Sequence, residues 1–296
     1  MRNKIFVIIL LIIIGCGEVD KEQVGNKQNV VDDLGNSFSA DSVPQRVITL
    51  APNLTEMIYE LGVGSKLIGN TLYCNYPEQA KDVEKVGDLL TINYEKILEL
   101  KPDIIFLTVE GNTKEGYNKL TELGLNVFIS NPRGFKGIKK TILDLSRLFK
   151  KEKMADSLIQ NWNKRLNHLK KVVDKNSHKS AMFLVSLQPI MLAGNNTYIN
   201  EFLKFCGLKN ITEDTDVNYP MFSREQVLVR NPDYIFYSDG MKKDEKDFKN
   251  AYPEWKNLSA VKKGNVIFID SDLYFRPGPR FIIALEDLAA SVYNLN

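Results

Sequence analysis

One pattern occurs twice in this chain without a gap. Asn93–Phe106 and Ser223–Phe236 share Glu95/Glu225, Leu98/Leu228, Pro102/Pro232, Asp103/Asp233, Ile105/Ile235 and Phe106/Phe236 at identical spacing. Each copy predicts a short helix, a Pro-Asp turn and a buried strand. Asn93 and Ser223 stand where an N-cap belongs, and Ser223 with Gln226 three residues on spells a capping box. Pro102 and Pro232 stop each helix, because the residue before proline is driven out of the helical region. Ile104–Leu107 and Tyr234–Tyr237 then read as core strands of a parallel sheet. Helix–turn–strand is common in any α/β protein, but six matches in one frame favour true internal similarity. Two like halves predict two like lobes with a place for a ligand between them.

The amino terminus bears on the compartment. Lys4 and the apolar run Ile5–Ile14 lead into Gly15-Cys16. A spanning helix needs about 20 apolar residues, so the run is too short to remain in a bilayer. Residues 1–16 resemble a bacterial lipoprotein signal cut before Cys16, whose thiol would carry the lipid; an ordinary cleaved signal is the alternative. Residues 17–29 are polar and are expected to form a flexible tether. The expectation is an exported domain, lipid-anchored to the membrane and facing the periplasm or cell exterior.

The formal net charge of +2 argues against a nucleic-acid footprint. Lysine-rich stretches such as Lys136–Lys151 read as solvated helix faces. Besides Cys16 there are two cysteines, Cys74 and Cys206, one in each half, and no disulfide between them is expected. Cys206 lies in a helical pattern and reads as a small core residue. Cys74 lies in a polar loop, where contact with a ligand is the lesser reading.

The rest of the chain follows a two-lobed α/β plan. Residues 30–134 form the amino-terminal lobe. A hairpin turning at Asp33–Asn36 comes first, then a strand Val47–Leu50, a helix started by Asn53 with Glu56 and ended near Gly62, and a strand Lys66–Gly69. The first repeat copy, a helix Lys114–Leu123 and a strand Asn126–Ile129 complete that lobe. From 135 to 176, apolar residues recur at helical spacing, with a break expected near Lys150–Lys153. This reads as a connecting backbone helix. Residues 177–296 form the carboxy-terminal lobe: strand Ala181–Ser186, helix Asn196–Cys206 capped by Asn196, the second copy, strand Val266–Asp270, and a last helix opened by Pro279-Arg280. The fold class is α/β, two Rossmann-like lobes with parallel sheets flanked by helices, joined by a long rigid helix.

Enzyme chemistry finds little support. There is no nucleophile elbow, zinc-protease helix, P-loop or dinucleotide fingerprint. The two histidines, His168 and His178, have no ligand partners at metal spacing and read as surface residues. A two-lobed enzyme of nitrogenase type would need a cysteine-held cluster or a nucleotide loop, and neither is visible. No catalytic residue, metal site or cofactor is assigned.

Five segments together carry a family likeness: Arg46–Glu56, Tyr73–Pro77, Asn93–Asp103, Tyr219–Leu228 and Asp272–Arg280. They resemble the helical-backbone substrate-binding proteins of ABC importers, a group with receptors for vitamin B12, ferric siderophores and haem. The likeness covers about residues 30–294, and within the group it is nearest to the cobalamin receptors. The resemblance implies a single copy that captures one large ligand between the lobes, closes little, and delivers it to a permease dimer with its ATPase subunits. It also implies that Glu95 and Glu225, one on each lobe, dock onto arginines of the permease. A carboxylate in the first turn of each helix would be favourable there in any case.

For the ligand, the matched positions are Ala51, Pro52, Tyr73, Leu89, Thr108, Val185, Met191, Tyr219 and Asp272. Leu273, Tyr274 and Arg276 lie in the same loop as Asp272. Cobalamin is a bulky macrocycle with an amide fringe, suited to aromatic and apolar faces with a few hydrogen-bonding groups. Tyr73, Tyr219, Met191 and Asp272 meet that description. Leu89, Thr108 and Val185 are smaller than the aromatics the cobalamin receptors carry there. An anionic siderophore would call for several cations, of which Arg276 and then Arg133 are candidates. Haem would need an axial ligand, and Tyr73, Tyr219, Met191 and Cys74 qualify by chemistry.

Overall fold

The repeat governs both lobes of the computed structural model, which describes residues 29–173, 178–238 and 251–295. In the first copy Asn93 caps α2 (Tyr94–Leu100) by accepting from Lys96 N; in the second, Ser223 and Gln226 close a full capping box on α7 (Arg224–Arg230). Both helices end on a left-handed residue, Lys101 at φ 47° and Asn231 at φ 43°, and proline follows. The aspartate after each proline has a structural task. Asp103 Oδ2 accepts from the N–H groups of Gln45 and Arg46, where strand β3 (Val47–Thr49) begins. Asp233 Oδ2 accepts from the N–H and hydroxyl of Ser180, the first residue of β7 (Ser180–Ser186). Burial works against the Asp233 charge, but these bonds and Lys263 hold its pKa below the usual carboxylate range.

The strands after the turns, β5 (Ile104–Thr108) and β10 (Tyr234–Ser238), sit inside their sheets. The amino-terminal sheet is parallel throughout, in the order β4 (Leu67–Asn70), β3, β5, β6 (Val127–Ser130). The carboxy-terminal sheet runs β11 (Val266–Ile269), β10, β7, all parallel. Two short strands, β8 (Met191–Leu192, antiparallel) and β9 (Lys209–Asn210, parallel), pair with the far edge of β7. The similarity also runs past the repeated segment. Asn126 and Asn265, just before β6 and β11, donate their side-chain amides to the carbonyls of Asp103 and Asp233. A hairpin, β1 (Asn29–Val31) and β2 (Ser37–Ser39), turns as expected: Asp32 Oδ1 accepts from Leu34 N and Asn36 N.

Strand periodicity divides the core. Ile105 and Leu107 face a core private to the first lobe, and Ile235 and Tyr237 one private to the second. Their neighbours Ile104, Phe106, Tyr234 and Phe236 belong to a single apolar core that runs through both lobes. That core is filled by the helices of the middle segment, so the lobes share buried surface where hinge freedom would need a wet gap.

The middle segment is two helices: α4 (Gly134–Phe149) and α5 (Glu152–Val172, 21 residues). The break falls at Lys150, left-handed at φ 54°, within the stretch where it was expected. The chain reverses there, because Lys139 on α4 reaches Asn163 on α5 (2.7 Å), the two standing about equally far from the bend. At about 1.5 Å per residue α5 is some 31 Å long and is the connecting helix proper. It lies against α4 and, through Arg165–Glu286, against the last helix, α10 (Phe281–Tyr293). Trp162 and Phe135 both pack on Phe281.

The first turn of α4 is capped from the other lobe. Glu201 of α6 (Tyr198–Phe205) accepts from Phe135 N at 2.6 Å. Gly134, at φ +66°, would put a Cβ 2.2 Å from Glu201 Oε1. Gly134→Ala therefore both strains the backbone and displaces the cap, and should cost about 2–3 kcal/mol, measured by urea unfolding. Two expected caps differ in detail. Thr197, not Asn196, accepts from Asn200 N to cap α6, and Pro279 stands just outside α10, whose cap position is Arg280. Among the described residues no helix is long and apolar enough to cross a membrane. Cys16 and residues 17–28 lie outside the described residues.

Candidate functional site

The C-terminal ends of β3 and β5 open into a cleft between the lobes. Ala51 is the extended residue before α1 (Pro52–Glu60), and Pro52 is its first residue. The cleft encloses about 340 Å³ and is lined from the first lobe by Ala51, Pro52, Tyr73, Leu89 and Thr108. Tyr219, Asp272 and Arg276 face them from the second lobe. Eight of the eleven expected ligand positions thus meet in one place. The other three do not line it. Val185 and Leu273 pack against the shared core, and Met191 is half-buried in β8, bridged to Met221. Tyr274 is fully buried and donates to Asp287 Oδ2 at 2.7 Å. Cys74 is also buried, held by Thr55 and Thr71, and does not line the cleft.

The main polar feature of the cleft was not foreseen. Asn53 and Glu56 read as a helix-start signal, yet α1 has no side-chain cap. Both side chains instead cross to the second lobe. Asn53 Nδ2 donates to Pro277 O at 3.2 Å. Glu56, only 1% exposed, accepts from Arg280 Nε (2.9 Å) and Nη2 (2.7 Å), with Arg276 Nη1 at 3.5 Å. Arg276 donates onward to Asn75 Oδ1 (2.7 Å), to Tyr73 O (3.2 Å) and to Asp272. Asn75 Nδ2 closes the ring on Asp272 Oδ2 at 2.7 Å. Arg280 also lies over the Tyr76 ring, 4.3 Å from its centroid. The only clue in the sequence was the presence of these residues in the Arg46–Glu56, Tyr73–Pro77 and Asp272–Arg280 segments.

This network decides the electrostatics. Arg276 spends its donors on protein acceptors, and its charge faces Glu56 and Asp272. A third acid, Glu110, also lines the cleft and lies 3.7 Å from Arg133. The cleft therefore offers no surplus of positive charge. Exposed aromatic rings line it from both lobes, Tyr73 (53%) and Tyr219 (41%), and Leu72, Tyr76, Leu90 and Met221 are exposed as well. Partial burial, and then Glu110, push the Tyr219 phenol pKa upward, so it stays neutral at physiological pH.

Glu95 and Glu225 are exposed in the first turns of α2 and α7, and neither lines the cleft. A bond from its own backbone N–H, then one from the Ser223 hydroxyl, holds the Glu225 carboxyl below its usual range. Cys206 is buried, and burial pushes its thiol up to about 12. His168 and His178 are exposed, and no cluster of three or more metal-ligating side chains occurs among the described residues.

Comparison with known proteins gives a consistent picture. Residues 47–273 match the family described as periplasmic binding protein. The chain is 32% identical over 295 residues to an uncharacterized ABC transporter substrate-binding lipoprotein, YvrC, of Bacillus subtilis, covering 94% of this chain and 92% of that one. The crystal structure of the periplasmic vitamin B12 binding protein BtuF of Vibrio cholerae superposes with a TM-score of 0.75 at 33% identity, covering 84% of this chain and 96% of that one. The periplasmic heme-binding protein RhuT of Roseiflexus, at 20% identity and a TM-score of 0.76 over 84% and 98%, shares the fold.

Proposed function

The chain belongs to the periplasmic binding protein family, whose members are the substrate-binding components of ABC transporters and not enzymes, and from that premise we propose that its substrate is a corrinoid of the vitamin B12 class. The corrinoid is taken up in the cleft between the lobes and passed to a membrane permease served by ATPase subunits. The protein stays at the membrane through a lipid on Cys16.

The observation that carries this reading is the neutralised Arg276. A catecholate siderophore or the propionates of haem would seek unpaired cations, and here the cation nearest the cleft is already paired. A corrin ring with amide arms asks for apolar faces, aromatic rims and hydrogen-bonding groups instead. Ala51, Pro52 and Leu89 supply the floor, Tyr73 and Tyr219 the rims, and Asp272 and Thr108 the polar contacts. The 33% identical relative named for vitamin B12 binding supports the same ligand. Haem is the second reading, and its axial ligand would fall to Tyr73 or Tyr219, since Met191 and Cys74 stand away from the cleft.

The volume of about 340 Å³ is smaller than a corrinoid, so a bound corrinoid must extend beyond the cleft lining. Isothermal titration of the chain from Gly17 onward with cyanocobalamin, haemin and a ferric siderophore tests the assignment. Tight one-to-one binding of the corrinoid alone is expected. No heat and no co-elution with cyanocobalamin would reject the ligand and leave the family untouched.

A further inference from the structure

Away from the cleft, the helical pair carries a second surface. Between Gly134 and Val173 there are eleven lysines and arginines against three acids, in a chain whose formal net charge is +2. The lysine run in the sequence is partly compensated. Lys140 pairs with Asp33 and Asp144, and Lys150 donates to the carbonyl of Asp41. What remains without an acidic partner among the described residues is assembled from three helices. Lys136 on α4, Lys170 on α5 and Lys204 on α6 line an open groove of about 760 Å³, with Phe135 and Phe205 in its wall. None of the three forms an ion pair among the described residues. The one acid there, Glu201, is engaged as the cap of α4. Lys139 stands close by, and burial, then repulsion from Lys170, lowers its pKa. Like charges held together over half-buried aromatic rings favour an anion with an apolar flank.

We propose that this groove forms a docking face for anionic phospholipid headgroups. Phosphates would meet Lys136, Lys170 and Lys204, and the glycerol-ester region would lie against Phe135 and Phe205. The path of the chain favours a lipid surface over a soluble anion. The described fold begins at Asn29 in β1, and the hairpin it opens is bound to α4 through Asp33–Lys140 and to the bend through Asp41–Lys150. If Cys16 carries the lipid, the thirteen residues from there to Asn29 reach at most about 45 Å, which keeps this side near the bilayer. Basic groups at an anionic leaflet then orient the protein. No residue of the groove lines the cleft, so the inference stands whatever the cleft binds.

The test is partition of the chain from Gly17 onward onto sedimented vesicles of phosphatidylcholine with and without 30% phosphatidylglycerol. Lys136→Gln/Lys170→Gln/Lys204→Gln is compared with Lys81→Gln/Lys119→Gln/Lys209→Gln. The latter removes the same charge from lysines already paired with carboxylates. All six are exposed, so neither variant should disturb folding. Binding should require phosphatidylglycerol and weaken with salt. It should fall on the order of a hundredfold in the first variant and little in the second, with cyanocobalamin titration unchanged in both. Equal binding to neutral vesicles, an unaffected first variant, or equal loss in the two variants would overturn the proposal.

Discussion

Glu56→Ala should destabilise the chain by about 3–5 kcal/mol, the usual result of removing one partner from a buried ion pair. The side chain is 1% exposed, and Arg280 and Arg276, which it faces, belong to the opposite lobe. Without it, two guanidiniums remain beside the cleft, Arg276 against Asp272 and Arg280 with the weaker influence of Asp270. Both guanidiniums are only slightly exposed, 10% and 13%, and α1 lies so near the Pro277–Arg280 loop that a Cβ added at Gly278 would stand 3.2 Å from Asn53. For a chain of this size the loss corresponds to a melting temperature lower by on the order of 10 °C. Glu56→Gln should act in the same direction, since it keeps the shape and removes the charge. A loss below about 1 kcal/mol in calorimetry or urea unfolding would mean that the pair is already well solvated, and the interlobe role would fall.

Glu95→Ala together with Glu225→Ala should abolish transport and leave ligand affinity unchanged within about twofold. Both carboxylates are exposed, neither lines the cleft, and they occupy the same point of the repeat in the two lobes. A partner with two-fold symmetry would therefore meet them in equivalent settings. Charges at such a rim chiefly set orientation and encounter rate, so each single variant should slow uptake and the pair should stop it. Corrinoid uptake into cells or proteoliposomes gives the first quantity and titration of the purified variant the second. Loss of ligand binding in the double variant, or uptake at the normal rate, would sink the docking role.

The repeat was readable because its signals are local. A cap, a proline and an alternating apolar strand each act through residues within a few positions of one another. Hence the ends of α2 and α7, the strands β5 and β10 and the break at Lys150 fall where the sequence puts them. The cap of α6 was misplaced by one residue because Asn196 and Thr197 are both good caps; in the structure Thr197 takes that place and the Asn196 amide donates to Asp216 O. The pairing of Asn126 and Asn265 with the turn aspartates escaped notice, since a shared asparagine signals little until its partner is known.

The cleft was legible only in part. An asparagine three residues before a glutamate is a helix-start pattern, but the same spacing can aim two side chains of a first turn at a neighbour, and the sequence does not name the neighbour. The sequence by itself determined two α/β lobes, their shared helix–turn–strand unit and the family, because those rest on short-range periodicity and on motif spacing. Tertiary structure alone decided that Glu56 joins the lobes, that Arg276 is neutralised, and that Val185, Met191 and Leu273 stand outside the cleft. The physical reason is that charge compensation and burial depend on distances between residues more than two hundred positions apart, as Glu56 and Arg280 are, and local rules of chain geometry do not reach that far.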